Sequence, residues 1–176
     1  MHNAIRAQLQ ARTAGDAGQA WSEVSALAER EPNSNVPGSY RDDSNAAEIF
    51  GLTEPLTPAA VLVGLVQRDK GMTVLLTRRT ESLSSHGGQI SFPGGRVEPH
   101  DGAPVATALR ETEEEIGLSP TRVEILGRLA NYVVGSGYRI TPVVGFIDPP
   151  ERFTRDEREV AEIFEVPLET VMGHEN

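Results

Sequence analysis

Three glutamates, Glu111, Glu114 and Glu115, constrain this chain more than any other feature, because they follow a glycine-rich turn at spacings of three and four. Residues at i, i+3 and i+4 share a helix face, so one helix brings the three carboxylates together. Pro104 suits the first turn of that helix and Gly117 the position just beyond its end. Like charges at this spacing repel, and a divalent cation removes the repulsion by taking carboxylate oxygens as ligands. A solvated acidic face is the plainer alternative. The Phe92-Pro93-Gly94-Gly95 turn before the helix and Arg110 beside the cluster favour a site.

At about 100° per residue, Val105, Ala108, Leu109, Thr112 and Ile116 fall within an arc of about 100°, which predicts the buried stripe. Glu111, Glu114 and Glu115 occupy a separate arc that begins at its edge. The count places Glu111 and Glu115 at the border of core and surface and leaves Glu114 more exposed, with Glu113 solvated. An oxygen-only donor set, with no Cys and no clustered His, selects Mg²⁺ or Mn²⁺ over zinc.

Around this helix the pattern alternates between strands and turns. Residues 1–55 read as an N-terminal extension: helical pieces with Trp21 on an apolar stripe, then a Pro-, Asn- and Ser-rich loop from Glu31 to Asn45. One domain over residues 56–176 follows. Val61–Val66 is a nearly continuous apolar run, as in a strand buried on both faces. Met72–Arg78, Gln89–Phe92, Val123–Tyr132, Arg139–Ile147 and Val160–Val166 read as further strands, and Leu168–Met172 as a helical turn. Strands in mixed order around one strong helix predict an α/β sandwich.

Composition narrows the partners. A formal charge of −10 disfavours a general nucleic-acid binder, while a small anionic substrate stays open because a metal ion inverts the local sign of charge. The chain has no Cys, so neither disulfides nor thiol chemistry is available to it. The longest apolar run is too short to span a bilayer, and the N-terminus does not read as a signal peptide. A soluble, cytoplasmic protein acting on a small molecule is expected, with homodimer formation left open.

The run Arg110-Glu111-Thr112-Glu113-Glu114-Glu115-Ile116-Gly117-Leu118 resembles the second half of the Nudix box, R-E-U-x-E-E-x-G-U, with Thr112 in place of the usual aliphatic residue. The first half, G-x5-E-x7, fits only with a one-residue insertion. That puts Asp101 near the acidic position, with Glu98 competing, and Gly94 or Gly95 at the glycine. This irregularity is similar to the coenzyme A diphosphatase branch of the family. So are two further segments: Leu75-Leu76-Thr77-Arg78-Arg79-Thr80 followed by His86-Gly87-Gly88-Gln89-Ile90-Ser91-Phe92-Pro93-Gly94-Gly95, and Ser136-Gly137-Tyr138-Arg139-Ile140-Thr141-Pro142-Val143-Val144-Gly145.

The resemblance implies a Nudix-like α/β/α sandwich with a mixed β-sheet. It also implies metal-dependent hydrolysis of coenzyme A or acyl-coenzyme A to 4′-phosphopantetheine and adenosine 3′,5′-bisphosphate. It assigns Glu111, Glu114 and Glu115 to Mg²⁺ or Mn²⁺, with a backbone carbonyl of Gly94 or Gly95 completing the shell and Gly95 preferred. Arg110 would orient a glutamate through a bidentate ion pair, and catalysis falls to Arg110, Glu111 and Glu114. Arg79, His86, Gly94 and Tyr138 are the substrate-binding candidates. A structural ion pair competes for Arg79, a capping role for His86 and a core role for Tyr138. Glu159 and Glu162 are late glutamates within reach of a metal. Many relatives carry an Arg where this chain has Ser84 and Ser85, and relatives continue past Pro167 with a strand and a helix that are absent by Asn176. The alternatives are a broader hydrolase of ADP-ribose or dinucleoside polyphosphates, a ligand-binding Nudix module without catalysis, and an inactive fragment.

Overall fold

The computed structural model describes residues 39–41, 51, 55–81 and 87–172. Of the two units into which the chain separates, Met1–Pro37 lies outside these residues and Gly38–Asn176 contains them. The expected helical stripe with Trp21, and His86, therefore fall outside the described residues.

Strand β2 (Thr57–Arg68) is the hub of a nine-stranded mixed sheet. Along one edge it pairs in parallel with β8 (Tyr138–Ile147), from Thr57 opposite Tyr138 to Val66 opposite Ile147. Its other edge is shared. Residues 59–61 pair with β5 (Gly94–Arg96), and residues 65–68 pair with β3 (Gly71–Arg79), both antiparallel. Val74 pairs with both Leu65 and Val166, while Thr77 pairs with both Ser91 and Ile163. Strands β2 and β4 (Ile90–Ser91) therefore share one edge of β3, and β9 (Val160–Pro167) holds the other. The sheet splits where β3 leaves β2, and Phe92-Pro93 crosses the split from β4 to β5.

The expected strand Val123–Tyr132 is two pieces, β6 (Val123–Arg128) and β7 (Tyr132–Val134), both antiparallel to β8. Between the pairs Arg128–Val143 and Tyr132–Ile140 the β6–β7 side carries one residue more than β8 does. Pro142 lies in that interval; its carbonyl accepts the Leu129 N–H at 2.9 Å but it has no N–H to return, so the ladder is incomplete there. Two strands were not anticipated. Strand β1 (Ser39–Arg41) pairs with β7 inside the stretch read as loop, and β5 forms where a glycine-rich turn was expected. Gly94 makes β5 workable: it has φ +153, and a Cβ there would stand 2.6 Å from Val61 Cα.

Helix α1 (Pro104–Ile116) covers one face of the sheet. Ala60, Leu62 and Val66 of β2 pack with Ala108 and Ile116 of α1 and with Val143 of β8. Burial alternates along β2, and Val61, Val63 and Leu65 on the other face are only half-buried. The strand is thus not buried on both faces among the described residues; a continuous apolar run does not by itself tell the two cases apart. A short helix α2 (Leu168–Met172) abuts β3 and β9. No helix among the described residues is long and apolar enough to cross a membrane.

Helix α1 ends as its sequence predicts. Gly117 is left-handed at φ 68, ψ 21 and donates its N–H to the Glu113 carbonyl. A Cβ on Gly117 would lie 3.0 Å from the Thr154 carbonyl oxygen, so Gly117→Ala meets both the left-handed penalty and a contact. The variant should lose about 1–2 kcal/mol in urea unfolding, and an unchanged midpoint would refute this account of the helix end.

Candidate active site

Glycine, helix and split meet at one place. Gly95 stands opposite Ala60 in the ladder, and a side chain on it would run into the carboxylate of Glu111. This close approach brings the N-terminal edge of β5 onto the acidic side of α1. Glu115 lies deeper, 5% exposed, and accepts the Gly94 N–H at 3.2 Å. Glu111 is half-buried, and Glu114 turns outward with 59% of its side chain exposed.

The buried arc of the helix is rotated from the expected one. Thr107, Ala108, Thr112, Glu115 and Ile116 are buried, whereas Val105 and Leu109 are only half-buried. Glu115 is therefore inside, not at the border. Thr112, the loose position in the motif, is accommodated because its Oγ1 donates to the Ala108 carbonyl at 2.6 Å, closing its polar group onto its own helix.

Arg110 braces the site, but its bidentate partner is not a glutamate. Nε donates to Asp101 Oδ1 at 2.8 Å and Nη2 to Asp101 Oδ2 at 3.0 Å. Asp101 also accepts from Thr107 Oγ1 and the Glu98 N–H, both at 2.8 Å. Only 2% of the Asp101 side chain is exposed. These donors, Arg110 first, hold its carboxyl well below the usual carboxylate range. The structure thus chooses Asp101 over Glu98, which lies on the exposed side beside His100. The remaining Arg110 donors reach Glu111 at 2.9 Å, Glu114 at 3.2 Å and the Arg96 carbonyl at 3.1 Å.

Burial pushes the Glu115 carboxyl up to about 7, opposed by the Gly94 N–H and by Arg79, whose Nη1 is 3.5 Å away. Burial also raises Glu111, against the pull of Arg110. Both feel the nearby charge of Glu159, which stands 3.9 Å from Arg79. Glu162 is directed elsewhere, pairing with Arg78 at 3.2 Å. Of the two late glutamates, only Glu159 faces the cluster.

As the side chains lie, no three acidic or imidazole groups among the described residues gather tightly enough to enclose an ion. Arg110, Arg79 and the Gly94 N–H hold the carboxylates instead. The donor set is nonetheless all oxygen, with two of its carboxylates made costly to ionise by burial, and it suits a hard divalent cation. Tyr138 is fixed by Arg96, whose Nε donates to its hydroxyl at 2.7 Å.

Two consequences are measurable. A raised carboxyl pKa stabilises the fold below the unfolded value and loses that contribution as pH rises through about 7. In EDTA, Glu115→Gln should therefore unfold at higher urea than wild type at pH 8, by up to about 3 kcal/mol, with the gap closing by pH 4. A gap independent of pH would contradict the burial of an ionisable Glu115. The sign is opposite for Asp101, whose stabilising effect is present above the ordinary carboxylate pKa and fades in acid. Asp101→Asn should cost about 2 kcal/mol at pH 7, keep most of that cost at pH 4 and lose it only in stronger acid, as pH falls through the low folded value, read from urea midpoints along a pH series.

Known proteins place the chain in a family. It is 46% identical over 110 residues to the Nudix hydrolase NudL of Yersinia enterocolitica, itself described as uncharacterized. That match covers 62% of this chain and 56% of the relative, so the chain spans little more than half of its length. Among solved structures, it superposes on the Nudix hydrolase RenU from M. smegmatis at TM-score 0.54 and 25% identity, covering 65% of this chain and 73% of that one. The MutT protein from Methanosarcina mazei Go1 matches at TM-score 0.53 and 26% identity, covering 70% and 86%. Nudix hydrolases generally use divalent metal ions, in keeping with the oxygen donors on α1. A family model for the NUDIX domain matches residues 55–175, and with the split mixed sheet and its acidic helix this chain belongs to the Nudix family.

Proposed function

We propose that this chain is a metal-dependent hydrolase of the diphosphate bond in coenzyme A or acyl-coenzyme A, releasing 4′-phosphopantetheine and adenosine 3′,5′-bisphosphate. One observation supports the reading above the others. The segments that resemble the coenzyme A branch, Leu75–Thr80 and His86–Gly95, contribute residues to β3, β4 and β5, the strands that border the split, and the Gly94 N–H bonds Glu115 there.

In this proposal Glu111, Glu114 and Glu115, with the Gly95 carbonyl, hold Mg²⁺ or Mn²⁺. When bound, such an ion supplies positive charge against the diphosphate oxygens and acidifies water. The chain's own groups do the rest. Arg110, clamped by Asp101, keeps Glu111 and Glu114 aimed at the reacting centre. A water oxygen bonds to one phosphorus, the bridging oxygen leaves with the other, and Glu111 or Glu114 accepts the water's proton. Arg79 holds a phosphate oxygen in exchange for its ion pair with Glu115. Gly94, His86 and Tyr138 are the remaining substrate-binding candidates, Gly94 through the backbone that its lack of a side chain lets lie against β2.

The deciding experiment is product analysis with coenzyme A, ADP-ribose and a dinucleoside polyphosphate, each with Mg²⁺ and with Mn²⁺. Coenzyme A should be cleaved preferentially, and Glu115→Gln should lower its kcat by at least about 100-fold, at or beyond the cost of losing an outer-shell partner. Equal turnover of ADP-ribose and coenzyme A would sink the specific reading, and full activity in Glu115→Gln would sink the metal site.

A further inference from the structure

Among the described residues, Arg96 is a fixed cation without an anion. Its guanidinium lies 5.3 Å from the centre of the Tyr138 ring, and its Nε donates to the Tyr138 hydroxyl. Arg68, Arg78, Arg79, Arg110 and Arg122 each pair with a carboxylate. Arg96 is held by a neutral phenol, and no carboxylate stands within ion-pair distance of it among the described residues. A phenol positions a guanidinium but does not neutralise it, and one hydrogen bond from Nε leaves the two terminal amino groups of the fork available. Such a preorganised fork matches the oxygens of a phosphate group.

Its place in the fold says which phosphate. Gly95 faces α1, where a Cβ would meet Glu111, so strand alternation turns Arg96 to the opposite face of the sheet. The register agrees, since Arg96 is opposite Ala59 and Tyr138 is opposite Thr57, two residues along the same strand face. Strand β5 pairs only with β2 among the described residues, so Arg96 stands at the open edge of the split. It lies one residue, about 3.8 Å along the chain, from Gly95, yet on the other side of the sheet. A group held there is attached to the substrate but is not the diphosphate being cleaved.

From this geometry we infer that Arg96, set by Tyr138, is a specificity-determining subsite for a phosphomonoester carried by the substrate in addition to its scissile diphosphate. The inference deepens the proposed coenzyme A reading and rests on it for the identity of that group, the 3′-phosphate of the adenosine half. The substrate then threads the split, with its diphosphate beside Glu111 and Glu115 and its phosphomonoester on the far face. Tyr138 acts as a positioning residue for the guanidinium.

The test compares kcat/KM for coenzyme A and 3′-dephospho-coenzyme A. Wild type should prefer coenzyme A by about 10- to 100-fold, the range for one or two charge-assisted hydrogen bonds. Arg96→Ala should bring the two values within about threefold by lowering that for coenzyme A. Tyr138→Phe, which keeps the ring and removes only the hydroxyl, should give an intermediate ratio. An equal loss on both substrates would assign the Arg96 side chain a structural role and overturn the subsite, as would an unchanged ratio. Calorimetric titration with adenosine 3′,5′-bisphosphate and with AMP separates this inference from the one beneath it. Tighter binding of the bisphosphate in wild type, lost in Arg96→Ala, supports the subsite even if coenzyme A is not cleaved, in which case the substrate reading falls alone. Cleavage of coenzyme A with equal binding of the two nucleotides overturns the subsite alone.

Discussion

A single buried carboxylate joins the parts of this site. Asp101 lies in the loop before α1 and receives donors from that loop, from Thr107 in the second turn of the helix and from both sides of the Arg110 fork. Arg110 in turn binds the carbonyl of Arg96 in β5 and the carboxylates of Glu111 and Glu114. Loop, helix and edge strand are thereby locked in register by charge-assisted bonds, which are short and directional and tolerate little drift. Without this clamp, two clustered glutamates would repel each other beside a strand that has one ladder to hold it among the described residues.

The split in the sheet gives the clamp something to organise. A strand has two edges, and β2 gives one wholly to β8 while dividing the other between β5 and β3. The division lies where Phe92-Pro93 crosses, with the Pro93 carbonyl accepting the Leu62 N–H at 2.8 Å, and it sets β5 against the acidic side of α1. Glycines sit at this crossing for a geometric reason. A side chain on Gly94 would strike β2, and one on Gly95 would strike Glu111. Backbone thus comes close enough for the Gly94 N–H to bond Glu115, which keeps a carboxylate in the core without leaving it unpartnered.

Much of the fold was legible because it follows from local rules. Pro104 and Gly117 bound the helix as observed, and the strands at Met72–Arg78, Arg139–Ile147 and Val160–Val166 shifted by no more than a residue or two. The failures share a cause. Val123–Tyr132 looked continuous because the interruption comes from Pro142 on the neighbouring strand. Gly94–Arg96 looked like a turn because glycine carries no strand signal, and only β2 makes it a strand. The helix stripe was rotated because α1 packs in a corner between β2 and β5, drawing Glu115 inside with Ala108 and Ile116.

By itself, the sequence determined an acidic helix with defined ends, an oxygen-only donor set and a mixed α/β arrangement. These depend on spacings within one or two turns and on residue chemistry, and both can be read from the chain in order. Tertiary structure alone decided that Glu115 is buried and Glu114 is not, that Asp101 and not Glu98 takes the arginine fork, and that Arg96 rests on Tyr138 across the sheet. Desolvation and ion pairing act between groups brought close in space, and these partners are set by strand register and helix packing, which no local spacing encodes.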